Sequence, residues 1–344
     1  MTEQRIQLYG SELNPRPIVN VNAQSEHVRF IPSGLVVQQM LAGYESFTGE
    51  GVRIAIIDTG LTPKTLQFDS DEYETHKVRG LTKRDWHGHG THVASLIGGD
   101  LIDSPYGPLQ GIAPDAELVS IKAFNPLGLG NPYHLLNAMQ LAVDLDCHII
   151  NISSGGQLLV PFDELPEHNF MAEHQDRFFV CAAGNRGKEW SVATPGASPY
   201  AIAVGSMSMT DQDLSHFSAR GPSGLYYRSH PDEWDETIRT FGEDALKPDV
   251  IAPGGGRAVK GDRPIEVITS SMSGWYEAFY DTEYDNIGHA QGTSQAAPFV
   301  SGLLANLLQA GAITSPDGFK DALMRNSRKD LKAGYGIPTM EMFF

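Results

Sequence analysis

The sequence predicts a wound α/β fold: three layers, with a mainly parallel central sheet flanked by helices. Short, nearly uninterrupted apolar runs recur along the chain, the mark of strands buried on both faces of a parallel sheet. Helical patterns lie between those runs, so strands and helices alternate. The length of 344 residues, 41% of them hydrophobic, suffices for a large buried core. With 19% charged residues, 36 Gly and 21 Pro the composition is globular and loop-rich, which excludes disordered, collagen-like and coiled-coil chains.

Residues 1–30 are polar, carry Pro15 and Pro17, and read as an extended N-terminal arm ahead of one domain over 31–344. Between Ile31 and Phe47, the spacing of Val36, Val37, Met40, Leu41 and Tyr44 predicts a helix. The run Gly51–Asp58 predicts the first buried strand, and similar runs predict strands over Glu117–Ala123, Cys147–Ser153, Arg177–Ala183 and Ala201–Ser206. Helices are predicted over His89–Ile97, through Val93, Leu96 and Ile97, and over Tyr133–Leu145, through Leu135, Leu136, Met139 and Val143. A long helix follows from Thr293 to Ala310, with Ala296, Ala297, Val300, Leu303, Leu304 and Leu307 on its apolar face. Two long inserts break the rhythm, at about 223–246 and 254–286. The first is polar with Tyr226, Tyr227, Trp234 and Phe241; the second starts with three glycines and ends acidic and aromatic. Loops of such length in a compact domain are functional or disordered.

The net charge of −17 argues against nucleic acid and against an anionic membrane surface as partners, because both are bound through Lys and Arg. Two cysteines, Cys147 and Cys181, make no disulfide framework; each lies in an apolar run and reads as a buried free thiol in a core strand. The N-terminus lacks a basic segment followed by an apolar one. The greasiest stretch, Phe299 to Ile313, is too short and too interrupted to span a bilayer. A cytoplasmic chain is expected, or a secreted one if a targeting segment has been removed. The oligomeric state is left open.

Three positions carry chemistry. Asp58 ends the first predicted strand, His89 opens a helix, and Ser294 opens another. In an open α/β sheet, strand ends and helix starts line the crevice where ligands bind. A serine hydroxyl needs a base to become a nucleophile, and histidine is the usual one. A buried carboxylate fixes the tautomer of that histidine and stabilises its charged form. Ser294 at a helix N-terminus meets the positive end of the macrodipole and brings a backbone N–H with no helical partner. Asn185, after the run Ala182-Ala183-Gly184, is a candidate second donor to an oxyanion. A plain turn asparagine is the alternative there.

These motifs resemble those of the subtilisin-like serine proteases, the subtilase family. The order Asp, His, Ser is that of the family. Family-like blocks recur in the family's order at Val52–Gly60, Asp85–Gly98, Gly111–Lys122, Ile149–Gly156, Phe179–Gly187, Ala201–Gly221, Pro248–Gly254 and Gly292–Gly302. The resemblance implies a subtilisin-like fold and a serine endopeptidase working through an acyl-enzyme, with Asp58, His89 and Ser294 as triad and Asn185 as oxyanion donor. It also implies a protein or peptide substrate bound as an extended strand between Gly128-Leu129-Gly130 and Ser153-Ser154-Gly155. Ser153–Gly155 together with Ala182, Ala183 and Gly184 would wall the first specificity pocket, and Ala193–Pro195 would floor it. Small uncharged walls suggest a medium or large uncharged side chain before the cut. A histidine base suggests activity falling below roughly pH 6–7.

Departures from the family pattern are equally readable. The stretch Gly98–Gly111 resembles the family's calcium loop poorly, and a calcium carboxylate of the family falls on Gln67. Asp69, Asp71, Asp100 and Asp103 are the acids available to replace it, with solvated loop acids as the plainer reading. No cofactor is required by the chemistry, and calcium is the one metal the resemblance raises. The second insert leads directly into Ser294 and suits a wall, lid or docking surface. Three alternatives compete. His87, His89 and His92 resemble a zinc hydrolase cluster. The same fold can pass its acyl group to an amine, as a peptide ligase or macrocyclase does. A non-catalytic scaffold is the third, but every triad and oxyanion residue is in place.

Overall fold

In a computed structural model the described residues are 6–8, 28–68, 73–78, 81–257, 265–274 and 286–344. The chain opens with β1 (Ile6–Leu8), then β2 (Val28–Pro32) and α1 (Ser33–Leu41), followed by β3 (Arg53–Asp58), β4 (Glu74–Lys77) and α2 (His89–Gly98). A small hairpin, β5 (Ile102–Ser104) and β6 (Gly107–Leu109), leads to β7 (Glu117–Lys122), β8 (Leu129–Gly130) and α3 (Pro132–Asp144). Next come β9 (Ile149–Ile152), β10 (Ser154–Gln157), α4 (Pro166–Glu173), β11 (Phe178–Ala182), β12 (Ala193–Thr194), β13 (Ile202–Ser208) and β14 (Asp213–Leu214). The last part holds α5 (Leu225–Ser229), α6 (Pro231–Phe241), β15 (Val250–Pro253), β16 (Ile265–Ser271), β17 (Ile287–Ala290), α7 (Thr293–Gln309) and α8 (Pro316–Asn326).

The central sheet runs β4-β7-β3-β9-β11-β13-β15, with every one of these neighbours parallel; β14 adds to β13 antiparallel. The apolar runs make this possible because alternate residues face opposite layers. On β3, Ile54 and Ile56 join the core with α1, α2 and α7, while Ala55 and Ile57 join the core with α3 and α4. Phe178 and Val180 against Phe179 and Cys181 repeat the division on β11. The result is the three-layer α/β architecture expected, with a mixed, mostly parallel sheet.

Several elements differ from expectation. Cys147 and Cys181 are both buried free thiols, but Cys147 sits in the turn before β9, not in a strand. Residues 223–246 are not a loop: they form α5, α6 and a one-turn 3₁₀ helix. Three of the four aromatics fasten this insert, Tyr227 on Phe162 at 4.9 Å, Trp234 on Trp190 at 5.3 Å and Phe241 on Tyr200 at 5.8 Å between centroids. In the second insert, 258–264 and 275–285 lie outside the described residues, but 265–271 form β16. It pairs parallel with β2 and antiparallel with β17, and packs on α2. The arm therefore contributes a strand, β2, as well as β1. Among the described residues no helix is long and apolar enough to cross a membrane.

Candidate active site

Asp58 is the last residue of β3 and Lys122 the last of its neighbour β7, so the parallel register sets them side by side at the sheet's C-terminal edge. Gly90, in the first turn of α2, lets that helix close on the strand end: a Cβ there would lie 2.2 Å from the Gly60 carbonyl. The approach brings His89 Nδ1 to 2.9 and 3.0 Å from the two Asp58 carboxylate oxygens. Both side chains are buried, and among the described residues His89 Nε2 has no hydrogen-bond partner. Asp58 thus fixes one ring nitrogen and leaves the other available.

Two further residues hold this corner, and the sequence reading did not single them out. Asp85 is buried and accepts from the backbone N–H groups of His87, Gly88 and Thr91 and from the Thr91 hydroxyl, at 2.7–3.1 Å. It caps the first turn of α2 from outside the helix. Burial raises its pKa, while those donors pull it down. The signal available was an acidic residue four positions ahead of the helix start. Lys122 donates through Nζ to the carbonyls of Thr59 and Arg84. Burial lowers its pKa, against the pull of Asp85 and Asp58. A lysine ending a mainly apolar strand was its only sequence mark.

Ser294 lies in the first turn of α7. Its hydroxyl donates to the Ser153 carbonyl at 2.9 Å, and the Ser153 hydroxyl donates to the Ser294 carbonyl at 3.1 Å. Pro298 explains the second bond: it has no N–H to give the carbonyl four residues earlier, so Ser153 supplies a donor. Asn185 Oδ1 accepts from Thr293 N at 2.9 Å and from the Thr293 hydroxyl at 3.0 Å. With the oxygen so engaged on the residue before Ser294, the amide NH₂ is left as the donor end of Asn185.

The two segments expected to flank an extended peptide do face a common strand, one from the chain itself. β1 lies between β8 and β10, antiparallel to both, with Ile6 opposite Gly130, Gln7 opposite Leu129 and Gly155, and Leu8 opposite Ser154. Gly128 precedes this edge at φ +70°, which favours glycine. On its other side β10 pairs with β12, and Ala193 N donates to the Ala183 carbonyl at 2.9 Å. The expected pocket residues Ser153–Gly155, Ala182–Gly184 and Ala193–Thr194 are therefore neighbours.

The zinc alternative finds no support. His89 is turned to Asp58, His92 Nε2 lies 3.2 Å from the Ile268 carbonyl, and His87 Nδ1 accepts from His89 N at 3.3 Å. Among the described residues no group of three His, Cys, Asp or Glu side chains is placed to hold a metal ion. At Gln67 the residues present do not fit calcium either. Its buried Oε1 accepts from Ser270 Oγ and Ser271 N, both at 2.9 Å, and its Nε2 donates to the Asp100 carbonyl at 3.1 Å. An amide oxygen filled by two donors ties loops together and offers a cation nothing. Asp100 and Asp103 sit in exposed positions, and Asp69 and Asp71 lie outside the described residues.

The model of the subtilase family matches residues 49–337. Serine protease AprX of Bacillus subtilis (strain 168) is 26% identical over 318 residues, covering 85% of this chain and 64% of that protein. A subtilisin-like protease of Coccidioides posadasii (strain C735) is 29% identical over 281 residues, covering 79% of the chain and 55% of that protein. The human membrane-bound transcription factor site-1 protease is 27% identical over 306 residues, covering 86% and 24%. The chain thus spans from about a quarter to just under two thirds of these curated relatives. A crystal structure of a lanthipeptide protease superposes with a TM-score of 0.67 at 21% identity, covering 90% of this chain and 92% of that one, a likeness of fold.

Proposed function

The chain belongs to the subtilase family, and from that premise we propose that it is a serine endopeptidase that cuts extended peptides through an acyl-enzyme. Asp58 orients His89 and balances its charge; His89 Nε2 takes the Ser294 proton and returns it to the leaving amine. Ser294 Oγ attacks the carbonyl once its hydroxyl leaves the Ser153 carbonyl and turns to His89. The Asn185 NH₂ and the Ser294 N–H receive the oxyanion. Asp85 and Lys122 position the histidine's helix and the Asp58 strand end. No metal is assigned a part at Gln67. The observation that supports the reading is the buried His89–Asp58 pair, with one imidazole nitrogen held by the carboxylate and the other unpartnered among the described residues.

A fluorophosphonate probe tests it: the expected result is one covalent adduct, on Ser294, with loss of peptide cleavage in proportion. Labelling elsewhere, or cleavage that persists after complete labelling, refutes the assignment.

The strand β1 bears on the same reading, because it fills the track between Gly128–Gly130 and Ser153–Gly155 with the chain's own backbone. Main-chain pairing of this kind is how an extended peptide is held. A tethered strand competes at high effective concentration. Removing residues 1–27 is therefore expected to raise kcat/KM for a short peptide at least about tenfold, mainly through KM. An unchanged KM after removal would show that the strand does not compete with substrate.

A further inference from the structure

We infer that Phe30, in the N-terminal arm, is a positioning residue for peptide cleavage that acts through β16 on both Ser294 and His89. The inference rests on the peptidase reading and adds a residue that serves the same site from outside it.

β16 reaches the approaches to both residues. At its start, Glu266 and Gly256 exchange two backbone bonds, at 2.7 and 2.8 Å, and two residues earlier the Gly254 carbonyl accepts from Gly292 N at 2.8 Å. Its antiparallel partner β17 leads through Gln291 to Gly292 and the first turn of α7, where Ser294 lies. Along its length β16 lies on the helix that His89 opens: His92 Nε2 is 3.2 Å from the Ile268 carbonyl, and Ser95 Oγ is 2.8 Å from Ser270 Oγ. Just past its end, Ser273 closes on the residue before His89, so that a Cβ on Gly88 would lie 2.2 Å from the Ser273 carbonyl oxygen. A shift of β16 therefore moves the nucleophile and the base relative to each other.

β2 holds β16 from outside. It is the edge strand of the sheet β17-β16-β2, parallel to β16 from Val28 opposite Ile265 to Pro32 opposite Thr269. Backbone pairing alone fixes an edge strand weakly; side-chain packing sets its register. Phe30 supplies that packing. Its ring lies 4.5 Å from His289 on β17 and 5.0 Å from Tyr106 at the β5–β6 turn, and those two rings are 4.7 Å apart. His289 Nδ1 is in turn 2.9 Å from Thr269 Oγ1 on β16. One ring thus ties all three strands to the hairpin beside them. Arg29 adds a second, exposed tie: its Nη1 donates to Thr210 Oγ1 at 2.6 Å, while Glu266, opposite it on β16, accepts from Met209 N and Thr210 N at 2.8 and 3.0 Å. Nucleophile and base must meet within a fraction of an ångström, and a misplacement of about 1 Å can cost about 10²-fold in rate. The edges proposed to hold the peptide, β8 and β10, belong to another sheet. Loss of the Phe30 ring therefore falls on kcat, whereas the competing strand β1 acts on KM.

The test uses the full chain and one peptide substrate, with working sites counted by fluorophosphonate labelling of Ser294 to completion. Phe30→Ala is expected to lower kcat per labelled site at least about tenfold, to leave KM within about twofold, and to slow the labelling in step. Phe30→Tyr keeps the ring and is expected to stay within about threefold of the wild type in kcat. Arg29→Ala, at the exposed tie, is expected to lower kcat per labelled site about threefold. A merely structural role would reduce the number of labelled sites and leave the rate of each unchanged; that result in both alanine variants overturns the inference. Equal losses in Phe30→Ala and Phe30→Tyr also overturn it, as does a change confined to KM. Should Phe30→Ala yield no labelled site, Arg29→Ala decides by the same measure. If the wild type cuts and labels and the alanine variants match it site for site, only this inference falls. If the wild type neither cuts the peptide nor takes the label, the peptidase reading falls and carries this inference with it.

Discussion

Ser294→Ala is expected to yield a protein that folds and melts as the wild type does and cleaves peptides at least about 10⁴-fold more slowly. The structural cost is small because the bond from the Ser153 hydroxyl to the Ser294 carbonyl survives the change, and only the Ser294 hydroxyl's bond to the Ser153 carbonyl is lost from that pair. The catalytic cost is large because the substitution removes the proposed nucleophile itself, and the neighbouring Thr293 hydroxyl is engaged in donating to Asn185 Oδ1 at 3.0 Å. Activity measured with and without fluorophosphonate separates real residual cleavage from a contaminating peptidase. A folded variant with near-normal cleavage would rule out the serine mechanism altogether.

The second large effect is acid destabilisation well above the carboxylate range. His92 and His168 are buried, and burial holds their pKa values down, to about 3 and about 4. His87 is held at about 3, first by burial and then by the charges of His89 and Lys122. In the unfolded chain each takes a proton near pH 6.5. Between there and about pH 4 the unfolded state binds more protons than the folded state, so stability falls as pH falls. At pH 5 each histidine contributes up to about 2 kcal/mol to that loss, a large share of the roughly 5–15 kcal/mol typical of a domain. Asp249, whose pKa is lowered by Lys247 and Lys329, acts only below its ordinary carboxylate range, and Asp85, raised by burial, acts in the opposite direction. Urea midpoints at pH 7.5, 6 and 5 are expected to decrease steadily. A midpoint flat down to pH 5 would refute the assignment of neutral buried rings.

What could be read ahead of the coordinates has a physical pattern. β3, β7, β9, β11 and β13 were legible because strands buried on both faces are apolar on both faces. Asp58, His89 and Ser294 were legible because each sits where such an element ends or begins. β16 was not, because its Thr269, Ser270 and Ser271 look like loop residues, yet all three are buried and hydrogen-bonded, to His289, to Ser95 and Gln67, and to the backbone of Gln67. α6 was hidden by its charged face, and its apolar stripe meets partners that are distant in sequence. Asp85 and Lys122 act on backbone groups, which leave no pattern in a list of side chains.

Pro298 has a mechanical consequence. Because it withdraws a helical bond from the Ser294 carbonyl, that carbonyl is clamped to the Ser153 hydroxyl, just ahead of β10. A pull on β10 reaches Ser294 across one residue pair, without passing through the body of the helix. On the proposed peptidase reading, seating a peptide against β10 and aiming the Ser294 hydroxyl are a single displacement.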